Sequence, residues 1–341
     1  MIGQSPSFLG REPAEGVRLV ALELLAQARA AAGRLSDPED AEALHDFRVS
    51  VRRLRSWLRS FGPEVKDTLR KRWRRELRAL ADSTGAARDA EVMRARILAE
   101  REALSPRHRR AADWFLAREA PVGEGGPDPR ARASAEFERL VPHLESALSR
   151  YQRAVGARQK GRFGDTAGEA IRRQAGAVAA ALAEVSGPDD AGRAHRARIE
   201  GKRLRYLLEP LRPYLPAAEE AVRSMKALQD LLGDLHDVHV LAARMADAAA
   251  EAAAEGARAV HRALHAAGED QARAAARRSF RPGLAALDRR VRERRDGLFG
   301  DLSKDWLGQG KRAGVLRDQV EKVLGQLGER SKSKPRTRTR T

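Results

Sequence analysis

The chain has 341 residues, 4% of them aromatic and none of them cysteine, with 66 Lys plus Arg against 48 Asp plus Glu for a net charge of +18. That balance excludes disulfide-stapled folds and thiolate metal sites, leaves ample material for a core, and points to a polyanionic partner: nucleic acid, polyphosphate or an anionic membrane surface. Abundant Ala, Leu, Arg and Glu favour helix over sheet. No apolar run reaches the roughly 18 residues of a membrane span, and the opening MIGQSPSFLGREP has no apolar signal core, so a cytoplasmic location is expected.

In chain order the sequence reads as helix after helix. After a lead over 1–13, residues 14–34 place Val17, Val20, Leu24, Ala28 and Ala31 at helical spacing. A second helix is expected to start at Ser36 and stop at Gly62-Pro63, and a third to run from about Glu64 to Thr84 with Leu69, Trp73, Leu77 and Leu80 on one side and Lys71, Arg75 and Arg78 on another, capped by Gly85. Helices near 88–103 and 106–118 follow, then a Pro/Gly-rich loop from Pro121 to Pro129 and a helix over 134–154 interrupted or kinked near Pro142. These elements form a first half, 14–155. A connector over 156–164 leads to a second half, 165–329: helices at 165–185, 188–212, 216–232 ending at Gly233, a long Ala-rich helix from about Val238 to Ser279 with a break near Gly268, one from Pro282-Gly283 to about Phe299, and a last at 312–327. The basic stretch 330–341 has no apolar residue and is expected to be a disordered tail.

The stretch Ala43 to Phe61, ALHDFRVSVRRLRSWLRSF, organises the rest. On a helix, at ~100° per residue, His45, Arg48, Arg52, Arg55 and Arg59 fall within about 80° of one another, and Leu44, Phe47, Val51, Leu54, Leu58 and Phe61 fill the adjoining ~100°. A file of arginines a turn apart costs like-charge repulsion, which a polyanion lying along it would relieve. The bland alternative is a solvated amphipathic face. Against it, the chain writes the stretch twice: in AHRARIEGKRLRYLLEPL, Ala194 to Leu211, a shift of 150 pairs His45 with His195, Arg48 with Arg198, Arg52 with Lys202, Arg53 with Arg203 and Arg55 with Arg205. Ser36-Asp-Pro-Glu39 repeats as Ser186-Gly-Pro-Asp189, each read as a hydroxyl cap. Glu209 replaces Arg59 and shortens the second file. A shift of 148 matches Leu80-Ala-Asp82 to Leu228-Gln-Asp230, Gly85 to Gly233, Arg88 to His236 and Asp89 to Asp237.

The H-x-x-R-x-x-x-[RK]-R-L-R pattern at His45 and again at His195, the KRLRY at Lys202 to Tyr206, and the LQDLLGDLHD segment at Leu228 to Asp237 resemble the CHAD family, the conserved histidine α-helical domain. The resemblance covers about 14–329. It implies an all-α fold of two pseudo-symmetric, duplicated helical bundles facing each other across a basic central groove or pore, and binding of inorganic polyphosphate there. Position by position, it implies an anion-contacting set of His45, Arg48, Arg52, Arg55, His195, Arg198, Lys202 and Arg205, with Arg75, Arg78 and Lys226 behind them. Arg53, Arg59, Lys71, Arg88 and Arg203, which adjoin these on the same helices or in the repeat, complete the candidate set. The sequence departs from the family pattern at Ser83-Thr84-Gly85-Ala86-Ala87, where a Leu-rich turn is usual, and at Glu209.

The residues carry the same chemistry on their own. A polyphosphate has charge at every unit and no bases, so cations at regular spacing suffice to hold it, and the Arg fork can take two oxygens at once. Few aromatics means few platforms for stacking single-stranded bases. Nucleic acid is the alternative partner, held weakly through the basic tail. His45 and His195, with ordinary pKa values near ~6.5, would favour anion binding when protonated, so affinity is expected to rise as pH falls through that range. Asp82, Asp89, Asp230, Asp234 and Asp237 are read as helix caps and Arg partners ahead of divalent-metal ligands. His261 and His265, four apart, lack a third ligand. Trp57, Trp73 and Tyr206 are read as packing residues. No phosphate-binding loop, dinucleotide fingerprint or nucleophile elbow is present, so neither catalysis nor a cofactor is expected.

Overall fold

The computed structural model describes residues 6–83, 86–119, 128–150 and 161–332, the side chains of 6–7, 86–91 and 331–332 excepted. Among them the secondary structure is helical throughout, with no strand. The helices are α1 (Pro13–Gly33), α2 (Ala43–Ser60), the single turn α3 (Gly62–Val65), α4 (Lys71–Ser83), α5 (Ala86–Glu102), α6 (Pro106–Arg118) and α7 (Pro129–Ser149). There follow α8 (Phe163–Ala183), α9 (Ala191–Leu208), α10 (Pro216–Ala267), α11 (Glu269–Arg277), α12 (Arg281–Trp306) and α13 (Lys311–Lys332). Pro13, Pro63, Pro106, Pro129, Pro216 and Pro282 stand in first turns, where a missing N–H forfeits no helical bond.

Several boundaries differ from the sequence expectation for identifiable reasons. Ser36 does not cap α2: it closes a 3-10 turn (Arg34–Ser36), its hydroxyl donates to the Gly33 carbonyl at 3.1 Å, and the helix begins at Ala43. Ser186 likewise stands outside α9, its hydroxyl and backbone N–H both donating to Asp190. These bonds, with Arg193, hold the Asp190 carboxyl at about 2. The expected helix Glu64 to Thr84 is two pieces, because Leu69 turns inward to full burial and Thr68 accepts a bond from the buried Arg18 at 3.1 Å between α3 and α4. Helix α7 runs through Pro142 without interruption. The largest correction is at Gly233, which ends nothing: Leu228, Leu232, Leu235 and Val238 stay buried at helical spacing across it, and α10 is 52 residues long in all, about 78 Å. The break expected at Gly268 is there, with φ at +83°. Gly85, residues 121–127 of the expected loop, 156–160 of the expected connector and 333–341 of the expected tail lie outside the described residues; Phe163 and Gly164 of the connector open α8, and 330–332 of the tail are the end of α13.

Two clusters of buried side chains hold the molecule. The larger joins α1, α2, α4 and α7 to α8, α9, α13 and the first part of α10, with Phe47, Leu54 and Trp57 of α2 and Leu204 and Leu208 of α9 all essentially inaccessible. Trp57 also satisfies its indole N–H on the Val17 carbonyl at 3.0 Å. The smaller packs Ile97 of α5 and Phe115 of α6 against Leu241 and Met245 of α10 and Leu287 and Val291 of α12. Helices from the first half of the sequence therefore rest on helices from the second in both clusters.

Candidate functional site

Both cation files lie on helices whose other faces are locked in the core. Phe47, Val51, Leu54 and Leu58 are buried on α2, and Ala197, Leu204 and Leu208 on α9. Gly201, buried on α9, sits so close to α10 that an added Cβ would lie 3.3 Å from the Met225 Cε. That approach brings the residue beside it, Lys202, against α10 as well as α2.

Arg53 of α2 pairs with Glu209, just past α9, at 2.6 Å, whereas Arg59, further along α2, lies near Arg203, earlier on α9. The two helices therefore cross in opposite directions. Arg52 and Lys202, positions matched by the 150-residue shift, lie within electrostatic range of each other. Burial together with repulsion from Arg198, Arg52 and Arg205 pushes the Lys202 amine down to about 7, with Asp237 opposing. The His195 ring is held below its ordinary value by burial, Arg198 and Lys202. Its Nδ1 stands 3.4 Å from the Nδ1 of His236 on α10, with ring centroids 4.7 Å apart. Burial, then Arg198, His195, Lys202 and His239, push His236 down to about 4. Asp237 moves the opposite way: burial raises it, against the attraction of Arg96 and Arg198. Among the described residues, the charged groups acting on Lys202 are three arginines and one acid, Asp237.

Around this centre the cations are partly neutralised. Asp82 takes Arg55 at 3.1 Å and Arg78 at 3.4 Å, and Arg203 pairs with Glu200. Glu209, with a side chain only 12% exposed, takes Arg53 at 2.6 Å and Arg205 at 3.3 Å. Arg53 and Glu209 also line a cleft of about 630 Å³ between α1 and the end of α9, with Tyr206 and Tyr214 among its walls. Burial first, then Arg203, Arg55 and Arg78, lower the Arg59 pKa against the pull of Glu200.

Of the candidate set, then, the structure gathers Arg52, His195, Arg198, Lys202 and Arg205 at the centre, and Arg55, Arg59, Arg78 and Arg203 beyond it. Arg48 is buried on α2, and His45 is exposed near its start. Lys71 and Arg75 on α4 and Lys226 on α10 are exposed, and among the described residues no hydrogen bond or ion pair ties them to the centre. The Arg88 side chain lies outside the described residues. Sequence reasoning missed His236, Arg96 and the facing role of Asp237. A helix ending at Gly233 and another beginning near Val238 leave 234–237 between helices; the repeat match of Arg88 with His236 was the signal available. Asp234 and Asp237 pair with Arg96 at 2.8 and 3.3 Å from mid-helix, so the Arg-partner reading of the acids holds for them and for Asp82 while the capping reading does not. Among the described residues no three His, Asp or Glu groups converge as metal ligands. Trp57 and Tyr206 are buried, and Trp73 stacks on His143 at 3.9 Å.

No helix of the described residues is long and apolar enough to cross a membrane. The chain is 30% identical over 272 residues to the uncharacterized protein Rv2226 of Mycobacterium tuberculosis strain H37Rv, and equally to the uncharacterized protein MT2285 of strain CDC 1551. The matches cover 75% of this chain and 50% of each relative, so the chain spans about half the length of the curated relatives it matches. In solved structures it is similar to the CHAD domain from the plant Ricinus communis, with a TM-score of 0.51, 18% identity, and coverage of 92% of this chain and 93% of that one. That likeness establishes an all-α fold of the same kind. A sequence model of the CHAD domain matches residues 20–246, across α2, α9 and the crossing that joins them, and on that match the chain belongs to the CHAD domain family.

Proposed function

We propose that the chain binds inorganic polyphosphate, without catalysing a reaction on it, along the seam where α2 and α9 cross. The observation that carries this reading is the centre of the seam, where, among the described residues, partly buried Lys202 is repelled by Arg198, Arg52 and Arg205 against the pull of Asp237. Holding like charges together in a partly desolvated site opposes folding, and a bound polyanion reverses the sign of that term. A linear phosphate chain fits a file of cations better than a compact anion does, because successive units meet successive guanidinium forks. Two stretches that match in sequence under a 150-residue shift and lie on helices that cross favour a ligand that is itself a repeat. The cytoplasm, and association there with polyphosphate granules, belong to the same proposal.

The test is competition between long-chain polyphosphate and duplex DNA or RNA of matched charge at about 150 mM salt, for the wild type and for Arg48→Ala, Arg52→Ala, Arg198→Ala and Lys202→Ala combined. Selective polyphosphate binding that the four changes abolish is expected. Equal binding to all three polyanions, unmoved by the changes, would replace the seam with a diffuse basic surface or the basic tail.

A further inference from the structure

His236 and Lys202 do not behave as ordinary members of a cation file. Lys202, partly buried on α9 beside the close approach of Gly201 to α10, lies within electrostatic range of Arg198 and Arg205 on its own helix, Arg52 on α2 and Asp237 on α10. His236 comes from α10 to meet His195 nitrogen to nitrogen at 3.4 Å. At that separation the pair is comfortable when one ring donates an N–H to the lone pair of the other, and two imidazolium rings would set N–H against N–H. His239, one turn along α10, donates from Nε2 to the Pro188 carbonyl at 2.6 Å and turns its remaining nitrogen inward.

We propose that polyphosphate binding in this seam is coupled to proton uptake by Lys202 and by the His195 and His236 pair, which makes His236 a further residue of the site. The proposal rests on the polyphosphate reading above. Without an anion, Arg198 repels Lys202, His195 and His236 alike, and Asp237 is shared with Arg96, so the seam lowers its own charge by releasing protons. A phosphate chain supplies negative charge to the same space and draws the protons back. The sign follows directly. A group whose pKa is low in the free protein and ordinary in the complex takes up a proton between those two values, and affinity rises as pH falls through that interval. For Lys202 the interval runs from the ordinary lysine value near ~10.4 down to about 7. For His236 it runs from about 6.5 down to about 4. Each proton taken up makes affinity change tenfold per pH unit.

The experiment is calorimetric titration of the full chain with long-chain polyphosphate, whose terminal groups are few, in pairs of buffers that differ in ionisation enthalpy, at about pH 8 and about pH 5.5. The wild type is expected to take up a substantial fraction of a proton at both pH values. Lys202→Arg, which keeps the charge and does not titrate, should bind with uptake abolished at the higher pH only, and His236→Gln with uptake reduced at the lower pH only. Polyphosphate binding by the wild type with no buffer dependence at either pH overturns the proposal whatever the variants do. Absence of binding by the wild type overturns the polyphosphate reading itself.

Discussion

Lys202 carries opposite consequences for folding and for binding, and the two can be separated. Its amine is pushed down to about 7, so the unfolded chain holds more protons at this residue between that value and the ordinary lysine pKa. By linkage its contribution makes the protein more stable as pH rises from 7 toward 10, and least stable below 7, where the folded protein carries the buried charge. Lys202→Met fills similar space without that charge. It is expected to raise stability near neutral pH by about 1–2 kcal/mol, to flatten the pH dependence of the denaturation midpoint in that range, and to weaken polyphosphate binding. Glu209 presents the reverse case. It neutralises Arg53 and Arg205 at once, in the place where the first copy has Arg59. Glu209→Gln leaves both guanidinium groups for an incoming anion, and should tighten polyphosphate binding by about 1 kcal/mol, roughly fivefold, in a direct titration. Glu209 was visible in the sequence as a departure from the repeat; that one acid closes on two arginines from different helices was not, since that depends on the crossing.

At the scale of elements, the apolar stripes of α2 and α9 were legible because 3.6-residue spacing marks which face is buried, and the cation files followed from the same geometry. Gly233 was misleading because glycine is a common helix terminator, yet it is also tolerated inside a helix whose flanking leucines are anchored. Nothing in the local sequence distinguishes the cases; the packing of Leu232 and Leu235 in the core does. Consequences differ for the two glycines of this region. Gly233 is helical and a Cβ there meets nothing within 4 Å, so Gly233→Ala should stabilise by about 0.5–1 kcal/mol. Gly268 separates α10 from α11 at φ +83°, so Gly268→Ala should destabilise by at least ~1 kcal/mol. Denaturant midpoints of the two variants check both signs, and a destabilised Gly233→Ala would mean that α10 does end near that residue.

For the molecule as a whole, the internal repeat suggests two units, and the packing says how far they depend on each other. Ile97 and Phe115 are buried, but the apolar surfaces they meet belong to α10 and α12, more than a hundred residues later. Arg96, Trp114 and Arg118 bond to Asp234, Glu255 and Glu251 on α10. Amphipathic faces in a sequence announce that something will cover them and not what, so this exchange of helices between halves could not be read in advance. Burial of side chains of this size is worth about 1.5–3 kcal/mol each, against a typical total stability of about 5–15 kcal/mol. A fragment of residues 1–155 would expose Ile97, Phe115 and the α2 face that α9 covers, and should not reach a native fold. Its expected spectra are poorly dispersed amide resonances and dye-accessible apolar surface, with native dispersion restored when residues 156–341 are supplied. The intact chain should unfold in one transition followed equally by helical signal and by tryptophan fluorescence, since Trp57 and Trp306 report the larger cluster and Trp114 the smaller. A cooperative, well-dispersed 1–155 fragment would show instead that the halves fold first and that the contacts of α5 and α6 with α10 and α12 are a late docking step.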